Sequence, residues 1–163
     1  MTNKIFIVKD SREQKGWDFK EDPDFCKGTI IEKIDFGDYS IAGLEQNILV
    51  LERKSSPGEI HNNALASHFQ KYLDNIINFK YKYMVMEFGV DELLSYPWGN
   101  GLPKNICRKI RINGKFLLSY LTKISIEYNI NLIFAGSPKN AEKIAYQILK
   151  QVYKKEIESK CQK

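Results

Sequence analysis

Four apolar residues in succession, Ile5-Phe6-Ile7-Val8, give way at once to Asp10-Ser11-Arg12-Glu13, which reads as a buried strand over residues 4–9 running into a polar end. Residues 14–27 mix both charges with Pro23 and hold no period, so loop or irregular helix is expected there. Apolar and polar side chains alternate over 29–36, as in a half-buried strand, until Gly37 interrupts them. Extended structure resumes over 39–42, a turn follows at 43–46, and 47–53 forms another strand. Its run Ile48-Leu49-Val50-Leu51 has no polar face, the character of a strand covered on both sides. The period then lengthens: Leu65, Phe69, Leu73 and Ile76 recur at helical spacing and predict one helix over 58–80. A buried strand at 83–88, a short helix at 91–95 and a loop rich in Gly, Pro and Asn at 96–103 come next. Leu117, Tyr120, Leu121, Ile124 and Tyr128 stripe a second long helix, and 131–135 reads as a further strand. Ser137-Pro138 opens a final helix with a capping residue and a first-turn proline; Ala141, Ile144, Ala145, Ile148 and Val152 line its buried face. The charged tail beyond Tyr153 is expected to fray.

Strands alternating with helices imply an α/β fold, a mixed β-sheet flanked by α-helices, and residues 1–163 suit one domain. No apolar run approaches the roughly 18 residues of a membrane span. Met1-Thr2-Asn3-Lys4 leads into a strand and not into a signal peptide, so no membrane partner and a cytoplasmic location are expected. Cys26, Cys107 and Cys161 lie far apart with no C-x-x-C pair, which argues against a disulfide framework or structural zinc and for reduced thiols. His61 and His68 lack a third ligand and are assigned to surface or interface roles.

The net charge of +5 conceals an uneven distribution. Residues 1–100 hold 12 Lys and Arg against 16 Asp and Glu, a net of −4; residues 101–163 hold 13 against 4, a net of +9. Carboxylates for cations in one half and cations for phosphates in the other suit an enzyme acting on nucleic acid.

The chemistry concentrates in Gly37-Asp38-Tyr39 and Glu52-Arg53-Lys54. Side chains alternate along a strand, so Glu52 and Lys54 share one face and Arg53 takes the other. Charges at the end of a strand covered on both sides are costly unless a metal, a partner charge or a polyanion compensates them. Should the two strands pair as a hairpin, Asp38 and Glu52 approach closely enough to share a hard cation. Mg2+ takes a few carboxylate oxygens together with water and phosphate oxygens. Lys54 would then orient the attacking water or offset charge on the phosphate. Taken alone, Asp followed at a distance by Glu-x-Lys is a pattern that many surfaces carry.

Three separated strings sharpen it: Val8-Lys9-Asp10-Ser11-Arg12-Glu13, Gly37-Asp38-Tyr39 and Leu51-Glu52-Arg53-Lys54-Ser55. In this order, and followed by Phe69 to Leu73 and by Tyr83-Met84-Val85-Met86-Glu87-Phe88, they resemble the nuclease domain of the XPF-type structure-specific endonucleases. Those enzymes belong to the PD-(D/E)xK restriction-endonuclease-like superfamily. The resemblance covers residues 4–90 and leaves 101–157 as a basic helical and strand part. It implies a restriction-endonuclease-like mixed sheet and hydrolysis of DNA phosphodiesters with Mg2+, or Mn2+ in its place, and no organic cofactor. It makes Asp38 and Glu52 metal ligands, Lys54 the catalytic lysine and Asp10 a further metal contact, with Arg12, Glu13 and Arg53 in support. The family's Asp four residues after the signature lysine is Gly58 here, and Glu59 is the candidate substitute. No tandem helix-hairpin-helix pattern follows residue 100, so a compact single-domain member of bacteriophage or bacterial kind is expected. Partners implied are DNA and, since such domains often pair, a second copy of the chain.

Arg108-Lys109-Ile110-Arg111, with Lys115, is the densest basic stretch and follows a loop carrying Trp98. Its cations would grip phosphates while Trp98 stacks on a base; the plainer reading is a solvated helix start with Trp98 as a lid. Two other functional classes stay open at this point: a catalytically silent DNA-binding or scaffold module, and a junction-resolvase or restriction-type nuclease.

Overall fold

In the computed structural model, which describes residues 4–45 and 47–161 (side chains to Glu156), the first apolar run forms β1 (Ile5–Asp10). It is followed by β2 (Cys26–Glu32), β3 (Tyr39–Ile41) and β4 (Leu49–Lys54). Two helices, α1 (Pro57–Leu65) and α2 (Ser67–Ile76), lead to β5 (Tyr81–Met86). Then come α3 (Val90–Ser95), α4 (Lys104–Cys107), α5 (Gly114–Tyr128), β6 (Asn131–Phe134) and α6 (Pro138–Cys161). The strands form one mixed sheet in the order β2-β1-β3-β4-β5-β6, so the expected α/β fold with flanking helices is the observed one. β1 pairs with β2, β4 with β5 and β5 with β6 in parallel; β3 runs antiparallel to both β1 and β4.

That single reversal decides which strand ends meet. The amino end of β3 lies at the same sheet edge as the carboxyl ends of β1 and β4. Asp10, Asp38, Glu52 and Lys54 therefore meet there, although 44 positions separate the first from the last. Alternation along β4 sorts its side chains between two cores. Val50 joins Ile60, Phe69, Leu73, Met84, Leu117 and Leu121 under the α1, α2 and α5 layer. Leu49 and Leu51 face the other core, of Ile7, Trp17, Tyr39, Val85, Ala141, Ala145 and Leu149, closed by α6.

Several elements differ from the sequence expectation. The strand placed at 29–36 begins at Cys26 and ends at Glu32; Ile34, Asp35 and Phe36 form a loop toward Gly37, whose φ of +87° suits glycine. Residues 11–25 hold no helix, yet Trp17, Phe19 and Phe25 are buried, with Trp17 stacked on Tyr39 at 5.1 Å. The helix predicted over 58–80 is broken at Ala66, which is extended (φ −93°, ψ 116°). Asn62, Asn63 and Ser67, residues that compete with helical hydrogen bonds, bracket the break. The helical phase restarts there, so Leu65 is 66% exposed and the buried residues of α1 are Pro57 and Ile60. On α6 the buried line is Ala141, Ala145, Leu149 and Val152, with Ile144 and Ile148 half-buried. The helix does not fray at Tyr153: buried Glu156 accepts a hydrogen bond from Lys80 Nζ at 2.6 Å, and the backbone stays helical to Cys161. The turn expected at 43–46 includes Gln46, which lies outside the described residues. Cys26 and Cys107 are buried free thiols. No helix among the described residues is long and apolar enough to cross a membrane.

Candidate active site

Asp38 is held by backbone. Its N–H donates to the Leu51 carbonyl at 2.9 Å, and its Oδ2 accepts the Arg53 N–H at 2.7 Å. The hairpin register, Tyr39 opposite Leu51, sets the Asp38 carboxylate beside Glu52. Burial and the Glu52 charge push the Asp38 carboxyl well above its usual range. Glu52 accepts from Lys54 Nζ at 3.2 Å on Oε2 and from the Tyr72 hydroxyl on Oε1. Lys54, 8% exposed, lies 5.5 Å from the Phe69 ring centroid. Burial opposes its charge, but Glu52 and Asp38 outweigh that and hold the ammonium's pKa above the ordinary value. A cleft of about 230 Å³ opens over Asp38 and Glu52, lined also by Asp10, Arg12, Asp35 and Tyr72.

Asp10, 2% exposed, reaches the same cleft with its oxygens already engaged. Oδ1 accepts from Arg12 N at 2.8 Å and Arg12 Nε at 2.7 Å; Oδ2 accepts from Arg12 Nη2 at 3.1 Å and Ile34 N at 2.7 Å. Burial alone would raise this carboxyl, yet the Arg12 and Ile34 hydrogen bonds prevail and its pKa lies below normal. Four donors match the four lone-pair sites of a carboxylate. Asp10 thus anchors Arg12 and the loop after β2, and Arg12 Nη2 also holds the Ile34 carbonyl at 2.6 Å.

Arg53 points to the opposite face, as strand alternation requires. Its guanidinium is bidentate on Glu87 (2.8 and 3.0 Å), reaches Glu13 at 3.3 Å and lies 5.8 Å from the Trp17 ring centroid. Trp17 Nε1 donates to the same Glu87 oxygen at 2.8 Å. Burial works against the Arg53 charge, and Glu87 more than restores it. Glu59 turns back to Ser55, accepting its hydroxyl at 2.5 Å and its N–H at 3.2 Å, and so closes the start of α1. It also adds a negative charge within reach of Lys54.

Arg108, Lys109, Arg111 and Lys115 are all exposed, and Trp98 is 49% exposed. Trp98 therefore does not serve as a buried lid. These residues sit beside the amino end of α5. Burial raises the Tyr120 hydroxyl on that helix and the Lys54 charge partly offsets it, which places α5 next to the site. His61 Nδ1 lies 2.7 Å from the Tyr96 hydroxyl, and His68 is exposed.

Sequence reasoning missed Tyr72 and Glu87. Glu87 had a signal, being a lone carboxylate closing the apolar strand run as Glu52 closes β4. Tyr72 had none, since it lies beside the apolar stripe of α2 and reads as packing.

Among the described residues, no group of three or more His, Cys, Asp and Glu is gathered to hold a metal unaided. The donor set that is present, two adjacent carboxylates of which Asp38 has its pKa raised by burial and by the Glu52 charge, suits a hard cation that completes its shell with water and phosphate.

No protein-family model matches the chain, and no curated protein sequence matches it. Among solved structures it is similar to XPF from Aeropyrum pernix, with a TM-score of 0.59 and 13% identity over 90% of this chain and 60% of that one. It is likewise similar to XPF from Aeropyrum pernix in complex with DNA, with a TM-score of 0.60 and 14% identity over 93% of this chain and 66% of that one. The chain spans less than two thirds of either, and a likeness at this identity concerns the fold.

Proposed function

We propose that this chain is a divalent-metal-dependent DNA endonuclease that hydrolyses phosphodiester bonds at the cleft over Asp38 and Glu52, selecting DNA by structure or nicking one strand. The observation that carries this reading is the convergence of Asp38, from the bend that leads into β3, with Glu52 and Lys54 of β4 at one end of the sheet, Lys54 Nζ lying 3.2 Å from Glu52. The fold shared with two XPF chains, one of them bound to DNA, supports it.

Asp38 and Glu52 would hold Mg2+ or Mn2+, which when bound supplies Lewis-acid activation of water and neutralises charge at the scissile phosphate. Lys54 supplies a fixed ammonium beside Glu52, placed to orient the attacking water and to offset charge growing on phosphate oxygens. Asp10 keeps Arg12 at the mouth of the cleft, where its guanidinium, 65% exposed, can meet a phosphate. The Arg53–Glu87 pair holds the ends of β4 and β5 in place from behind. Arg108, Lys109, Arg111, Lys115 and Trp98 form the proposed DNA grip.

The test is nicking and cleavage of flap, fork, bubble and plain duplex DNA by the purified chain with and without Mg2+. Asp38→Asn, Glu52→Gln and Lys54→Ala should each lower the rate by at least roughly 10²-fold, the scale of one lost preorganised electrostatic contact, while DNA binding persists. A chain that binds DNA and never cuts it would instead be a silent binding module.

A further inference from the structure

The two carboxylates of the cleft are held by different means. Asp38 is fixed by the main chain, through the Arg53 N–H at 2.7 Å and its own bond to Leu51. Glu52 has a longer, freely rotating side chain that the strand alone cannot orient. Lys54, two residues on, holds Oε2 at 3.2 Å. Oε1 is held from another layer of the molecule by the hydroxyl of Tyr72 on α2. The tyrosine ring is fixed in turn: it stacks on Phe69 with centroids 5.5 Å apart and meets Phe36 at 6.0 Å, two residues before Asp38. One ring thereby joins α2, the loop that delivers Asp38 and the carboxylate of Glu52.

We propose that Tyr72 is a positioning residue of this centre, its hydroxyl fixing the Glu52 carboxylate in the orientation that captures a divalent cation together with Asp38. The inference rests on the endonuclease reading and extends it to a residue outside the motif. Each carboxylate oxygen has two lone-pair sites. One hydrogen bond to each Glu52 oxygen therefore orients the group and leaves room for a cation, whereas Asp10 accepts four N–H groups and is full. Outer hydrogen-bond partners of metal ligands set affinity by about 10–100-fold.

Tyr72→Phe keeps the ring against Phe69 and Phe36 and removes the hydroxyl alone. Calorimetry with Mn2+ gives the dissociation constant, and a Mn2+ titration of DNA cleavage gives the half-activating concentration. Both should rise about tenfold in Tyr72→Phe. The rate at saturating Mn2+ should recover most of its wild-type value, and the metal-free melting temperature should hold. A merely structural hydroxyl would lower the melting temperature and leave cation affinity unmoved. An unchanged Mn2+ dissociation constant in Tyr72→Phe, beside a Glu52→Gln chain that has lost the cation, overturns the positioning role alone. A wild-type chain that neither binds Mn2+ nor cuts DNA overturns the endonuclease reading and this role with it.

Discussion

Asp38 is a carboxyl whose ionised form the folded chain compensates only in part. Its folded pKa lies above the ordinary value of 3.8 because the site is buried and Glu52 is near. A raised carboxyl means the native state holds its proton more tightly than the unfolded one. Its effect is neutral below about the ordinary value, and stability declines as pH rises through the folded value. Metal-free Asp38→Asn should therefore melt higher than wild type at neutral pH, by about 2–4 °C for each kcal/mol recovered. The Arg53 N–H can still donate to the asparagine oxygen. Added Mg2+ should close the gap from the wild-type side. Melting curves in chelator and in Mg2+ across the acid-to-neutral range check this, and a variant that melts lower than wild type throughout would refute it. The same scale shows what a sequence can disclose. Glu52 and Lys54 were placed on one face by period two alone, and Arg53 on the other, because alternation is local. The Tyr72 and Glu87 contacts span 20 and 34 positions between different elements, and no local period encodes them.

At the scale of elements, β1, β4 and β5 are legible in their apolar runs, whereas β2, with Lys27, Gly28 and Thr29 near its start, leaves none and begins three residues before the alternation does. Spacing predicts a single helix over 58–80 because Leu65 falls in step with Phe69, while the break at Ala66 rests on Asn62, Asn63 and Ser67, whose side chains compete for helical hydrogen bonds and leave the apolar period untouched. The start of α5 is another junction decided by packing. Gly114 follows the capping Asn113, whose side chain accepts the Phe116 N–H, and its own N–H donates to the Tyr96 carbonyl at 3.0 Å. A Cβ at 114 would lie 2.1 Å from the Leu93 carbonyl oxygen and 2.5 Å from Leu94 Cα, so backbone would have to move. Gly114→Ala should cost at least about 1–3 kcal/mol by denaturant unfolding, as overpacking does. The shift would also carry α5 away from α3, so weaker DNA binding should accompany the loss. An alanine variant as stable as wild type would mean that the α3–α5 approach is looser than these distances.

The whole molecule divides its charge along the chain. The acidic first hundred residues supply the cleft, and the basic remainder supplies α5 with its preceding turn; α5 packs on α1 and on α2, the helix that carries Tyr72. Composition disclosed the division, whereas the adjacency required the crossover from β5 to β6 that sets α5 against α1 and α2. Arg108, Lys109 and Arg111 are exposed, and no salt bridge among the described residues engages them. Cations free to meet phosphates release counterions on binding, and each such contact steepens the fall of log affinity with log salt by about 0.9. Replacing all three with Gln should weaken binding across DNA sequences alike and flatten that slope by as many contacts as are lost. Trp98→Ala should weaken binding to unpaired strands more than to duplex and leave the slope alone, because stacking releases no counterions. Affinities measured over a salt series on single-stranded and duplex DNA separate these effects. A triple variant whose slope matches wild type would remove the turn before α5 from the DNA footprint, and would move the search for phosphate contacts to Arg12 and the cleft mouth.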